Sequence, residues 1–308
     1  MSEYTQVRKK QIGDWFIFTQ ERFEPVSHFL MIIMFLAAHY FVVDASKFVI
    51  LEPIQLLWVT LGTIAFFLKL RFYDEIKDYD TDMAYNPTRP LPRGLVKHFD
   101  VKKGIENCII LEIIFFTTCG VSGFISIILA IAYSLAMYRE FFIGDLIRPH
   151  LTTYATTHTV VTIFISVSIF SAMSRYYFWD MDGDFYLFAI ANWLLFNIFE
   201  LGRKVYQPCE ERDGVDTYSS IWGKFGAVIL VFSQAAAVGV LLLYISTIDF
   251  FFMQAFQAFS LGTLGLISII YLIRKTVISG KLFRAFSSFY IVLIYLGVIA
   301  NYLIRRYS

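Results

Sequence analysis

The chain has 308 residues, 57% of them hydrophobic and only 17% charged, with a net charge of +1. A soluble domain of this size needs far more charge on its surface, so a polytopic membrane protein is the economical class. The near-neutral balance leaves no contiguous basic surface to release counterions, which excludes a nucleic-acid partner.

In chain order, residues 1–25 read as a polar tail on the cytoplasmic side. Within it, Ile12 to Phe23 carries Trp15, Phe16, Phe18 and Phe23 among charges, and is either an amphipathic helix along the interface or an unstructured tail. The first apolar run lacks a small-residue cleavage site and reads as a retained span. Windows of the length that a hydrocarbon core requires fall at about 26–43, 53–72, 105–121, 123–138, 151–172, 185–202, 225–246, 250–273 and 285–304. The third and fourth are separated only by Gly120-Val121-Ser122-Gly123, and Glu112 inside the third requires a buried partner. Cys108 and Cys119 fall in that third window and Cys209 in a polar loop, so no disulfide framework is expected.

With nine spans and a cytoplasmic N-terminus, 22 of the 26 basic residues fall on the cytoplasmic side, leaving Lys47, Arg175, Arg305 and Arg306 outside. That asymmetry obeys the positive-inside rule. The expected fold is all-α: one membrane-embedded domain over 1–308, with about nine transmembrane helices bundled around a central cavity. Two long charged loops, 71–104 and 203–224, share the cytoplasmic face.

The first loop carries the sharpest pattern. Asp74, Asp78 and Asp82 recur every four residues. On a helix each such step advances ~6 Å and turns ~40°, so the carboxylates share a face. Asn86-Pro87-Thr88-Arg89-Pro90-Leu91-Pro92-Arg93-Gly94 follows. A solvated helix face is the bland alternative. Mg²⁺ takes oxygen ligands and is usually shared between one or two carboxylates and substrate phosphates. Arg89 and Arg93 offer permanently charged forks to phosphate, on a loop stiffened by three prolines.

Together these residues resemble the first signature of the UbiA-type intramembrane prenyltransferases. Relative to that signature, Asp74 replaces an Asn, Glu75 an Asp, and Arg93 a Ser. The family's second acidic signature follows span six, where this chain reads Phe199-Glu200-Leu201-Gly202-Arg203-Lys204 and later Glu210-Glu211-Arg212-Asp213-Gly214-Val215-Asp216-Thr217. One expected aspartate is missing, with Tyr206 or Arg203 near its position. The second loop thus either supplies Glu200, Glu210 and Glu211 to a metal and Arg203 and Lys204 to diphosphate, or is an ordinary charged loop. Arg139, after Tyr138, and Arg22, before Pro25, sit where the family has basic residues near the diphosphate; snorkelling arginines fit those positions equally.

The resemblance implies a Mg²⁺-dependent enzyme, with Mn²⁺ as an alternative ion. It would move an isoprenoid chain from a prenyl diphosphate to a hydrophobic or aromatic acceptor within the cytoplasmic membrane, in lipid or quinone biosynthesis. A branch of the family instead transfers phosphoribose to a polyprenyl phosphate. A secondary transporter is the rival from another class, but it would place its acids near the bilayer midplane. Asp180-Met181-Asp182-Gly183-Asp184 lacks the remaining ligands of a calcium loop, and His28, His39, His150 and His158 show no metal-ligand spacing, so they read as satisfied polar groups.

Overall fold

A computed structural model describes residues 12–47 and 51–307. Residues 1–11 of the expected tail, with Arg8, Lys9 and Lys10, lie outside the described residues. The fold is all-helical: α1 (Ile12–Arg22), α2 (Pro25–Ala45), α3 (Pro53–Lys77), α4 (Tyr79–Tyr85), α5 (His98–Thr117), α6 (Val121–Tyr138), α7 (Gly144–Ile147), α8 (Leu151–Thr159), α9 (Val161–Ser174), α10 (Gly183–Gly202), α11 (Tyr218–Leu243), α12 (Phe250–Ile273) and α13 (Val277–Tyr307).

Among the described residues, eight helical stretches are long and apolar enough to cross a membrane, α8 and α9 counting as one. The ninth expected span corresponds to α5, which starts seven residues earlier than the 105–121 window and gathers Lys102, Lys103, Glu106 and Glu112. Those charges take it out of the strictly apolar class. It nevertheless lies along α3, where Lys69 Nζ sits 2.6 Å from Glu112 Oε2 with both side chains fully buried. The partner that Glu112 required is therefore a lysine one helix away. The protein is an integral multi-pass membrane protein.

Each long helix packs on the next in chain order, from α2 through α3, α5, α6, α9, α10, α11 and α12 to α13, and α13 returns to α2. The helices close a ring. Cross-contacts of α10 with α13 and α2 with α9 brace its interior. Start signals are local. Pro53 opens α3 behind a Glu52–Gln55 capping box, and the Asp249 side chain accepts from Phe252 N–H at 2.8 Å to open α12. At Gly120 the backbone takes φ 96°, a conformation that favours glycine, which lets α6 reverse against α5.

One interior layer bears on the site. Phe35, Phe67, Phe196 and Tyr295 come from four different helices, with ring centroids 5.7–6.0 Å apart. Beneath it, His39, Asn192, Ser166 and Tyr295 form a hydrogen-bonded group with no solvent exposure. His39 is thus a satisfied core histidine. Above the layer, both charged loops lie at one end of the ring, with Gln55, Thr118 and Arg175 bonded together at the other. Asp182 caps α10 and Asp184 accepts from Ser246, so the 180–184 segment has a structural use.

Of the alternatives for the N-terminal segment, the helix forms. Trp15 and Phe18 of α1 pack on Phe72, while Ile12 and Phe16 stay exposed.

Candidate active site

The backbone passes from α3 to α4 through Asp78 without losing its helical ladder: Asp78 N–H bonds Asp74 O, and Asp82 N–H bonds Asp78 O, both at 2.8 Å. The three aspartates therefore keep one face. Asp74 keeps 52% of its side-chain surface accessible and pairs with Arg71 at 3.4 Å. Asp78 has no ion pair or side-chain hydrogen bond among the described residues. Burial, with the charges of Asp74 and Asp82, pushes its carboxyl up to about 6. Asp82 is buried; its Oδ1 accepts from Arg89 and Asn86, while its Oδ2 has no partner.

Across the ring, the end of α10 faces these acids. Glu200 accepts from Arg203 at 2.6 Å and Lys204 at 3.1 Å. Arg203 acts electrostatically on Asp74, and Lys204 on Asp78, so the two charged loops converge. Tyr218 is fully buried with an unpartnered hydroxyl beside Glu200 and Arg203.

Other expected site residues are placed elsewhere. Arg93 holds Glu21 of α1 through two hydrogen bonds of 2.7 and 2.8 Å, and Arg22 is buried against Glu75. Both arginines fasten α1 to the loop and to α3. Glu210 takes a bidentate bond from Arg284 of α13, at 2.7 and 3.0 Å, which holds its carboxyl below the usual range. Glu211 is bound by the Thr217 and Ser219 hydroxyls. Gln207 anchors the same loop to Tyr271 O and Arg274 O. The two glutamates are therefore spent on docking the loop. Arg139 is exposed at the end of α6, with no ion pair to the acids among the described residues.

Among the described residues, no group of three or more acidic, His or Cys side chains closes around a single point as a ready-made metal cage. The donor set fits the other kind of site. Mg²⁺ commonly uses one or two carboxylates and completes its shell with water and substrate phosphate. Asp78 and the free Oδ2 of Asp82 are oxygen donors without protein partners.

The ring of helices has solved counterparts. The apo structure of a UbiA homolog from Aeropyrum pernix K1 matches with TM-score 0.62 over 92% of this chain and 98% of that one, at 15% identity. A digeranylgeranylglyceryl phosphate synthase, studied for its biosynthesis in membranes, matches with TM-score 0.61 over 95% of this chain and 99% of that one, at 12% identity.

This chain has the UbiA fold.

No family model and no curated protein matches the sequence. The likeness lies in the path of the helices.

Within the UbiA fold, sequence reading missed a cluster beside the aspartates. Lys77 Nζ lies 3.0 Å from His158 Nε2 and 3.8 Å from Glu140 Oε1, above the Tyr154 ring. Lys77 was hidden in the charged run, and Glu140 among residues with no recognisable spacing. Tyr154 and His158, at i and i+4, share a helix face, the one signal that pointed to a pair.

Proposed function

We propose that the protein is a UbiA-type intramembrane prenyltransferase. On this reading it moves an isoprenoid chain from a prenyl diphosphate to a hydrophobic, aromatic acceptor, with Mg²⁺ or Mn²⁺ bound at the first loop. The observation that carries the reading is the opposition of Asp74, Asp78 and Asp82 to Arg203 and Lys204 across one end of a UbiA-fold ring. Bound there, a divalent cation would supply positive charge to the diphosphate leaving group.

The remaining roles fall to the chain itself. Asp78 and Asp82 would hold the cation. Arg203, Lys204 and the Tyr218 hydroxyl donate to diphosphate, standing in for the second set of acids. Below them, Phe67 and Phe196 stack at 5.7 Å, and Tyr73 and Tyr138 at 4.6 Å. These rings suit both an isoprenoid tail and a developing carbocation. The transporter reading is disfavoured because the Lys69–Glu112 pair, buried in mid-span, has no solvent exposure.

Donor binding tests the second loop. Loss of a buried charged contact typically costs ~2–5 kcal/mol. The low end is expected here, because Arg203 and Lys204 keep 47% and 35% of their side-chain surface accessible. Arg203→Ala or Lys204→Ala should weaken a non-hydrolysable prenyl diphosphate in calorimetry, with little change in acceptor affinity. Glu210→Ala should lower the detergent melting temperature and leave Mn²⁺ affinity unchanged. Normal donor binding in both cation variants would return this loop to a structural role.

The positive-inside partition supports a cytoplasmic position for the acids. Single cysteines at Thr88 and Asp213, with Cys108, Cys119 and Cys209 replaced, should react with an impermeant maleimide only after cells are opened. Labelling of intact cells reverses the orientation.

A further inference from the structure

Lys77 stands where it should interfere with the site. It follows Asp74 by three residues and precedes Asp78, and both carboxylates act on its charge. A flexible ammonium three residues from a carboxylate on a helix ordinarily pairs with it. Here no ion pair within 4.0 Å links Lys77 to Asp74 or Asp78 among the described residues. The ammonium is drawn the other way, to His158 Nε2 at 3.0 Å and towards Glu140 Oε1 at 3.8 Å, 4.9 Å from the centre of the Tyr154 ring.

Each of these partners is itself fixed. His158 Nδ1 lies 2.6 Å from Tyr154 O. A carbonyl only accepts, so Nδ1 carries the hydrogen and Nε2 is left to accept from Lys77. The Tyr154 and His158 rings stack at 3.9 Å, and Phe141 meets His158 edge-on at 5.9 Å. Glu140 is held by Arg148 Nε at 2.7 Å and Tyr154 OH at 3.3 Å.

The backbone is unusual at the same place. Glu140, Phe141 and Phe142 have φ of 52°, 53° and 59°, three successive non-glycine residues in the left-handed region. Such a run is sterically unfavourable and persists only where its surroundings impose it. A Cβ at position 144 would lie 2.3 Å from Glu140 Oε2, so Gly144 keeps room for that carboxylate. Strain, glycine and hydrogen bonds all serve to fix Glu140 beside Lys77.

We propose that Glu140, Tyr154 and His158 hold the Lys77 ammonium off the first-loop aspartates, keeping Asp78 open to a divalent cation; Asp74 already meets Arg71 at 3.4 Å. Lys77 is then a restrained competitor, and the connection from α6 to α8 is the restraint. The inference rests on the metal reading above and adds a positioning role that the reading does not require.

The test is Mn²⁺ affinity of the purified full chain in detergent, read by electron paramagnetic resonance without substrate. Glu140→Gln, which keeps the shape of the side chain, and His158→Ala should each release Lys77 and weaken Mn²⁺ by roughly fivefold, the scale of a partly exposed ion pair. Adding Lys77→Gln to either variant should return the affinity to the wild-type value or tighter. That rescue is a result that a merely structural role would not give. Unchanged affinity in both single variants, or weakening that Lys77→Gln does not reverse, overturns the restraint and leaves the metal reading standing. Failure of the wild-type chain to bind Mn²⁺ at all overturns both.

Discussion

Asp78→Ala or Asp82→Ala is expected to reduce turnover by two orders of magnitude or more while the protein still elutes as a folded species in detergent. Each carboxylate would hold the cation that neutralises the leaving diphosphate, and losing a Lewis-acid metal forfeits several kcal/mol of transition-state stabilisation. These two carboxylates carry the oxygens left free of protein partners, Asp78 entirely and Asp82 at Oδ2. Full activity in either variant, or in excess chelator, would defeat the metal assignment.

A pH dependence follows from the same residue. Burial and its acidic neighbours raise Asp78 to about 6. Below that pH it is largely neutral, and above it is ionised and able to hold a cation. Mn²⁺ affinity should therefore rise with pH through about 6, and binding should release a proton. The sign for stability is opposite. A carboxyl raised in the folded state binds its proton more tightly there than in the unfolded chain, so its contribution to stability falls as pH rises between the two values. Asp78→Asn should accordingly abolish activity and raise the melting temperature of the metal-free protein at neutral pH. A lower melting temperature would show that the carboxylate is satisfied in the fold.

The second large effect lies in mid-span. Lys69→Ala should strand the Glu112 carboxylate, whose Oε1 already has no partner. Breaking a fully buried pair from one side typically costs about 3–5 kcal/mol, whereas replacing both members by apolar groups of similar volume is often neutral. Lys69→Ala and Glu112→Ala should each lower the detergent melting temperature sharply, and Lys69→Met with Glu112→Leu should recover most of it. If the double variant melts as low as the single ones, the charges do more than bind α5 to α3.

The sequence by itself determined the class and most of the helices. Apolar runs of bilayer length are a one-dimensional signal, because in lipid a backbone must satisfy its hydrogen bonds within its own helix. The Asp74, Asp78 and Asp82 register was equally local, since a four-residue period fixes a shared face wherever the helix goes. Glu112 declared that it needed a partner.

Only the tertiary structure decided who the partners were. Nothing in the order of residues says that Glu112 meets Lys69, or that Glu210 turns to Arg284 and Glu211 to Thr217 and Ser219. Arg93 and Arg22 have the chemistry of phosphate ligands, yet are committed to Glu21 and Glu75. Charged residues carry their reach in the sequence but not their direction. A long side chain takes whichever opposite charge the packing brings nearest, and that choice is made between helices far apart in the chain. The Lys77 cluster was hidden for the same reason: it joins α3 to α8 through a left-handed turn that no local preference of Glu140-Phe141-Phe142 would produce.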